Sequence, residues 1–401
     1  MLVEILLALF LGFLVGIFTG LFPGIHVNLV TVLLVSVSPL LLTLISPLGL
    51  CMFIISLAIT HSFLDAIPSI YLGAPDEAQA MGALPGHRLL LEGRGHAAIV
   101  YTIMGSFGAL LLGIVLFPVF LYLMKILQGP ISAVVGYLLI GMVVYMILKD
   151  KDKRLRNLIL FTLSGVLGII VFNISELRQP LFALLSGLFG VSILVESLRT
   201  SSSIPTQQKV TELSLSSKNR NKAVSASCFV GFIAGFLPGF SSSQGAVVAT
   251  NMVGDIGDEG FLVLVGGINT ANMLISIGTA YALDKARNGA IVAVDTFLGT
   301  MTFEQMLIFI SGSLVVAGLS VVACLYLSKL FARFITRVPY TELVLGIMSF
   351  IILLAALFDG FLGLLILAVA TALGVMATSW GVAKSHLMGC LLVPVILFFV
   401  L

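Results

Sequence analysis

Two copies of one short pattern, about half a chain apart, hold the residues best placed for chemistry. The first is Gly16-x3-Gly20-x2-Pro23-Gly24, continuing Ile25-His26-Val27-Asn28. The second is Gly231-x3-Gly235-x2-Pro238-Gly239, continuing Phe240-Ser241-Ser242-Ser243-Gln244. Each interrupts an apolar run with Pro-Gly and resumes with polar side chains. Such a break frees backbone polar groups that hydrocarbon cannot satisfy, so they must be buried in protein or line a wet cavity. The helix that restarts after it has first-turn N–H groups with no intrahelical partner and a positive dipole end. That is an anion site built from backbone, decorated by His26 and Asn28 in the first copy and by Ser241, Ser242, Ser243 and Gln244 in the second. A lone serine there would be an ordinary cap; three serines and a glutamine exceed what capping needs. Matched breaks in two halves point to a transporter's substrate site, with a pair of packing kinks as the alternative; on the first reading Pro23, Gly24, Pro238 and Gly239 are part of it.

A second constellation lies in the third apolar segment, where Thr60, His61 and Asp65 interrupt the run Phe53-Ile54-Ile55-Ser56-Leu57-Ala58-Ile59. His61 and Asp65 are four apart and share a helix face. An ionisable residue inside a span defaults to a functional role, here a cation or proton site. A structural His–Asp hydrogen bond between helices is the alternative. In the second half Ile268-Asn269-Thr270-Ala271 lines up with Ile59-Thr60-His61-Ser62, which adds Asn269 and Asn272 to the substrate-site candidates. A polar, Gly- and Pro-rich loop, about 74–91, is extra in the first half. Its Arg88 is either a partner for an anion or a cytoplasmic basic residue. No HExxH, Walker loop or nucleophile elbow occurs, which argues against an enzyme. Cys51, Cys228, Cys324 and Cys390 are widely spaced in apolar segments, so they are expected as core residues, with no disulfide, metal or cofactor.

The elements that must position these residues are membrane helices. Of 401 residues, 59% are hydrophobic and only 9% charged, against about 25% charged in soluble chains. Repeated apolar stretches long enough to span a bilayer predict an all-α, multi-pass protein of the cell membrane. The N-terminus has no basic n-region or cleavage site and is read as a first helix. Apolar segments fall at 3–22, 25–47, 49–73, 97–126, 130–149, 157–173 and 180–198. A polar linker at 199–222 follows, and seven more segments run at 223–238, 240–254, 260–283, 288–328, 340–358, 361–379 and 386–401. This divides the chain into a first repeat at 1–198 and a second at 223–401. With fourteen crossings and a cytoplasmic linker, sixteen of the 20 basic residues face the cytoplasm, as the positive-inside rule requires of an inverted repeat. The stretch 240–254 is short for a span and 288–328 too long for one helix, so re-entrant half-helices are expected.

The paired Gly-x3-Gly-x2-Pro-Gly motifs, together with Ala66-Ile67-Pro68-Ser69-Ile70-Tyr71-Leu72-Gly73-Ala74-Pro75, resemble the TctA family, the large membrane subunit of tripartite tricarboxylate transporters, and especially its shorter archaeal-type branch. Pro85-Gly86 and Glu92-Gly93 resemble that family's Asp-Gly and Lys-Gly positions. The resemblance covers most of the chain. It implies a permease for an anionic substrate, a carboxylate, moved by cation-coupled alternating access with Na+ or H+. Known systems of the family add a periplasmic binding protein and a small membrane subunit. The Pro-Gly-polar motifs also resemble polyprenyl-phosphate transporters, which makes a lipid-phosphate flippase the alternative. The expected partners are thus an anionic small molecule or a lipid phosphate, the coupling ion, the bilayer and a second copy of the chain, with no nucleic acid.

Overall fold

The computed structural model describes residues 2–23, 25, 27–75, 77–199, 205–208, 213–237, 240–286, 288–337 and 339–400. All regular structure among them is helical. Among the described residues seven helices are long and apolar enough to cross a membrane: Leu2–Leu21, Pro47–Tyr71, Gly95–Val115, Arg154–Phe172, Gly257–Leu283, Phe303–Ile335 and Thr341–Ser379. Two are central, with 94% of the apolar window of Pro47–Tyr71 and 83% of that of Gly257–Leu283 buried. Thr341–Ser379 lies at the periphery, with only 28% buried.

Several segments divide differently from their hydropathy. The apolar run at 25–47 contains two short helices, Val27–Ser36 and Ser38–Leu41, because Pro39 cannot donate the next backbone hydrogen bond. The 288–328 stretch splits into Gly289–Leu298 and a helix beginning at Phe303, where Thr302 and Gln305 form a capping box. The segments at 340–358 and 361–379 are two arms of one run, Tyr340–Ser379, meeting at Gly360 with φ 59. Val27–Ser36, Ser242–Val253 and Gly289–Leu298 have 10, 12 and 10 residues. At about 1.5 Å per residue each reaches only halfway through a hydrocarbon layer of about 30 Å.

The motif glycines are contact points. Leu2–Leu21 packs along Pro47–Leu64, and Ser217–Phe236 packs along Gly257–Leu283 in the same way. A Cβ on Gly16 would stand 2.6 Å from Thr60 Cβ and 2.8 Å from the Leu57 carbonyl oxygen. One on Gly231 would strike Ala271 Cβ and lie 3.2 Å from the Ile268 carbonyl oxygen. Gly20 faces Leu64 and Gly235 faces Ile275. These matched contacts set Leu57, Thr60 and Leu64 against Ile268, Ala271 and Ile275, and so His61 against Asn272. The alignment of Ile59–Ser62 with Ile268–Ala271 is therefore two residues out of register. Small and apolar residues repeat too often along these helices to fix a register by themselves.

The halves are interlocked. Gly95–Val115 from the first packs along Gly257–Leu283 of the second, where Ser106 Oγ donates to the Gly266 carbonyl at 3.0 Å. Phe303–Ile335 from the second packs on Pro47–Leu64 of the first, where Ser320 Oγ donates to Thr60 Oγ1 at 3.3 Å. The described parts of the linker are docked on the chain: Gly95 N donates to Gln207 Oε1 at 2.9 Å, and Ser214 N donates to the Tyr101 hydroxyl at 2.9 Å. Arg88 pairs with Asp258 at 3.3 Å and Arg94 with Glu259 at 3.0 Å. All four cysteines are buried.

Overpacking costs about 1–3 kcal/mol per site. Gly16→Val and Gly231→Val are each expected to lower thermal stability in detergent by an amount in that range. Gly141→Ala and Gly318→Ala, where nothing lies within 4 Å of the added carbon, should leave the melting temperature unchanged or raised.

Candidate functional site

Three helix beginnings meet at one cavity of about 270 Å³. Val27 and Asn28 open Val27–Ser36; Ser241 and Ser242 open Ser242–Val253; Asn288 and Ala290 open Gly289–Leu298. The two central helices supply the remaining polar lining, with His61, Ser62 and Asp65 from the first half and Asn269 and Asn272 from the second. Ala58, Ala78, Ala234, Phe240 and Met273 complete the wall.

Asp65 is the acidic side chain in the lining and is only 2% exposed. It stands where Pro47–Leu64 ends and Ala66–Tyr71 begins. Gln79 Nε2 donates to its Oδ1 at 3.0 Å, and Asn269 Nδ2 donates to its Oδ2 at 2.8 Å. Asn269 Nδ2 also reaches the Ser62 carbonyl at 3.4 Å. With both amide hydrogens directed at oxygens, the Asn269 carbonyl is left as its outward-facing acceptor. His61 Nδ1 lies 3.1 Å from Thr19 Oγ1, whose hydroxyl donates to the Gly16 carbonyl at 3.2 Å. The first motif thereby orients the imidazole through one intervening hydroxyl.

The second motif is built around a cap. Ser241 Oγ accepts from Gln244 N at 3.4 Å, and Gln244 Oε1 accepts from Ser241 N at 3.0 Å. This capping box engages two of the polar groups, Ser241 and Gln244, in local structure. Ser242 Oγ accepts from Asn272 Nδ2 at 3.1 Å, which ties the short helix to the central one at the cavity wall. Asn288 caps the third beginning by accepting from Ile291 N at 3.0 Å. Neutral donors and positive helix ends surround the buried carboxylate.

The structure brings Asn28, His61, Asp65, Ser241, Ser242, Asn269 and Asn272 to this cavity. Ser243 and Gln244 are buried and do not line it. Thr60 is buried against Ser320. Pro23 borders a separate apolar cleft with Leu72, Phe334 and Leu343. Gly24, His26, Pro238 and Gly239 lie outside the described residues. Two groups escaped the sequence reading. Asn288 precedes Gly289-Ala290-Ile291, so its type and place were a legible cap signal. Gln79 reaches Asp65 from a loop, a contact that no local pattern encodes.

Comparison with known proteins bears on this geometry. The model of the tripartite tricarboxylate transporter TctA family matches residues 6–389. An uncharacterized protein of Methanocaldococcus jannaschii is 29% identical over 362 residues, covering 86% of this chain and 88% of that one. No solved structure matches the chain.

Losing an N-cap side chain costs about 1 kcal/mol. Ser241→Ala is expected to destabilise the protein by about that much, measured by thermal unfolding in detergent. Ser241→Asp, which keeps a capping oxygen, should restore most of it.

Proposed function

The chain belongs to the tripartite tricarboxylate transporter TctA family, and from that premise we propose that it moves an anionic substrate, a carboxylate, by cation-coupled alternating access through the cavity between its halves. As a family member with seven apolar spanning helices among the described residues, it is a multi-pass transport protein of the cell membrane. The observation that carries the substrate reading is the convergence of three helix beginnings on one cavity. Their first-turn N–H groups, which have no intrahelical acceptor, and their positive dipole ends favour a compact anion. The amides of Asn28, Asn272 and Asn288 and the Ser242 hydroxyl add polar groups that orient it.

Asp65 is assigned the coupling role. It is a buried acid beside the anion site, contacted by Asn269 of the other half. A cation or proton there offsets the charge of the incoming substrate. His61 lies on the same wall, and its neighbour Thr60 is bonded to Ser320 behind the cavity lining. Polyprenyl phosphate is the competing substrate. Its long apolar tail needs a hydrocarbon path leading from the anion site. The large apolar groove on the protein's side shares no lining residue with the polar cavity, which favours a small water-soluble anion.

The two repeats, 1–198 and 223–401, are assigned opposite orientations. Repetition of the glycine contacts supports the internal repeat, and the distribution of basic residues supports its inversion.

Thermal shift in detergent tests the substrate. Citrate or a smaller dicarboxylate should stabilise the protein, with the shift changing when sodium is added or pH is altered. Asp65→Asn should reduce that dependence more than it reduces the shift itself. Stabilisation by polyprenyl phosphate alone would replace the carboxylate reading. Cysteines placed at 151 and 209 test the topology. Both should label from the cytoplasmic side, and labelling from opposite sides would refute the inverted arrangement.

A further inference from the structure

A larger hollow of about 570 Å³ opens on the side of the helical body, against about 270 Å³ for the polar cavity. Met104, Phe107 and Leu112 on Gly95–Val115 form one wall, Val224 on Ser217–Phe236 the other, and Val321 on Phe303–Ile335 closes it. From Ile103 to Leu112 the apolar wall runs roughly 13 Å along its helix at about 1.5 Å per residue. Helices from both halves meet here, and a Cβ on Gly108 would stand 3.2 Å from the Val224 methyls, so the groove's floor is a close helix contact.

Arg220 stands at one end of this groove. It lies in the first turn of Ser217–Phe236, at the end of the stretch read from the sequence as the polar linker. The side chain is half-buried and forms no ion pair among the described residues. Its Nε donates to Asn221 Oδ1 at 3.2 Å, which fixes the plane of the guanidinium and leaves its terminal nitrogens directed away from that bond. Lys218 and Lys222 are exposed on the same turns, and Lys222 Nζ bonds the Val253 carbonyl. The groove thus has a long apolar body and a cationic end.

We propose that this groove is a binding site for an anionic phospholipid, with one acyl chain along Met104, Phe107 and Leu112 and the phosphate held by Arg220. Acyl chains cover any apolar helix face in a bilayer, so apolarity alone selects no lipid. The charge at the end does select. A guanidinium offers paired donors that match phosphate oxygens, and basic pockets between membrane helices at the headgroup level recognise anionic lipids. A zwitterionic headgroup brings its own ammonium to the same cationic end and is disfavoured. Because the groove's walls come from both halves, a lipid seated in it bridges the joint between them.

The test is native mass spectrometry of the purified chain with dioleoylphosphatidylglycerol or dioleoylphosphatidylcholine at matched concentration, paired with thermal unfolding. The wild type should retain the glycerol lipid in preference and be stabilised by it. Arg220→Gln should lower its occupancy about five-fold, the effect of one basic contact near the membrane surface, and leave the choline lipid unchanged. Ser225→Trp, at the exposed lip of the groove, should reduce occupancy by both lipids. Equal retention of the two lipids by the wild type would overturn the proposal, as would unchanged retention of the glycerol lipid by Arg220→Gln or by Ser225→Trp.

Discussion

The structure is organised around one buried carboxylate. Asp65 lies at the junction of two helices in the most enclosed of the seven described spans, 2% exposed. Moving a charge from water into such surroundings costs several kcal/mol unless the charge is well partnered. Its two oxygens accept from amides on different parts of the chain, Gln79 in the first-half loop and Asn269 in the second-half central helix. Those partners cannot move independently of Asp65 without leaving it underbonded. The loop between the first half's third and fourth segments, the central helix pair and the cavity wall are thereby fixed to one another. The extra loop of the first half has a structural reason at Gln79, which no counterpart in the second half needs to supply.

Around that negative charge the short helices place their positive ends. Val27–Ser36, Ser242–Val253 and Gly289–Leu298 begin at the cavity and are too short to cross a bilayer. Each begins with a side chain that anchors it. Ser241 joins a capping box, Asn288 caps its own helix, and Asn28 packs against Gly289. The last contact joins the first and third beginnings directly, since a Cβ at Gly289 would overlap the Asn28 amide. Asp65 is bonded by neutral amides, so the described lining sets one carboxylate against several helix dipoles, with the His61 imidazole on the same wall. The proposed anion would add to the negative side of that balance, which is the physical reason for the proposed link to a cation or proton.

Much of this was legible in the sequence. The class followed from 59% hydrophobic residues and the apolar segment lengths. Most of the polar residues now at the cavity were marked by their place after a Pro-Gly break or inside an apolar run: Asn28, His61, Asp65, Ser241, Ser242, Asn269 and Asn272. What sequence could not supply is contact over long separation. Gln79 on Asp65, and the two-residue register between the central helices, depend on packing that glycine and leucine repeats leave degenerate. Ser243 and Gln244 illustrate a different limit. They sit in the right tetrapeptide, yet consecutive residues on a helix turn by about 100°, so a run of four polar residues cannot all face one cavity.

The interlocking of the halves restricts how such a site could alternate between two sides. Gly95–Val115 belongs to the first half but lies along the second half's central helix, with Gly105 directly beneath the Val263 carbonyl. Phe303–Ile335 belongs to the second half but lies along the first half's central helix. Rocking one half against the other would have to open both contacts, and these include backbone-to-backbone approaches with no side chain able to adjust. Arg154–Phe172 packs with Gly389–Val400 and with Tyr340–Ser379, Gly389–Val400 also with Phe117–Lys149, and Tyr340–Ser379 chiefly with the helices around Pro180–Arg199. Among the described residues these three helices make no extensive contact with Pro47–Leu64 or Gly257–Leu283, although Gly190 beside them approaches the Gly73 carbonyl closely. A movement that keeps Asp65, Gln79 and Asn269 together therefore meets less resistance between the interlocked core and this outer group than between the two halves.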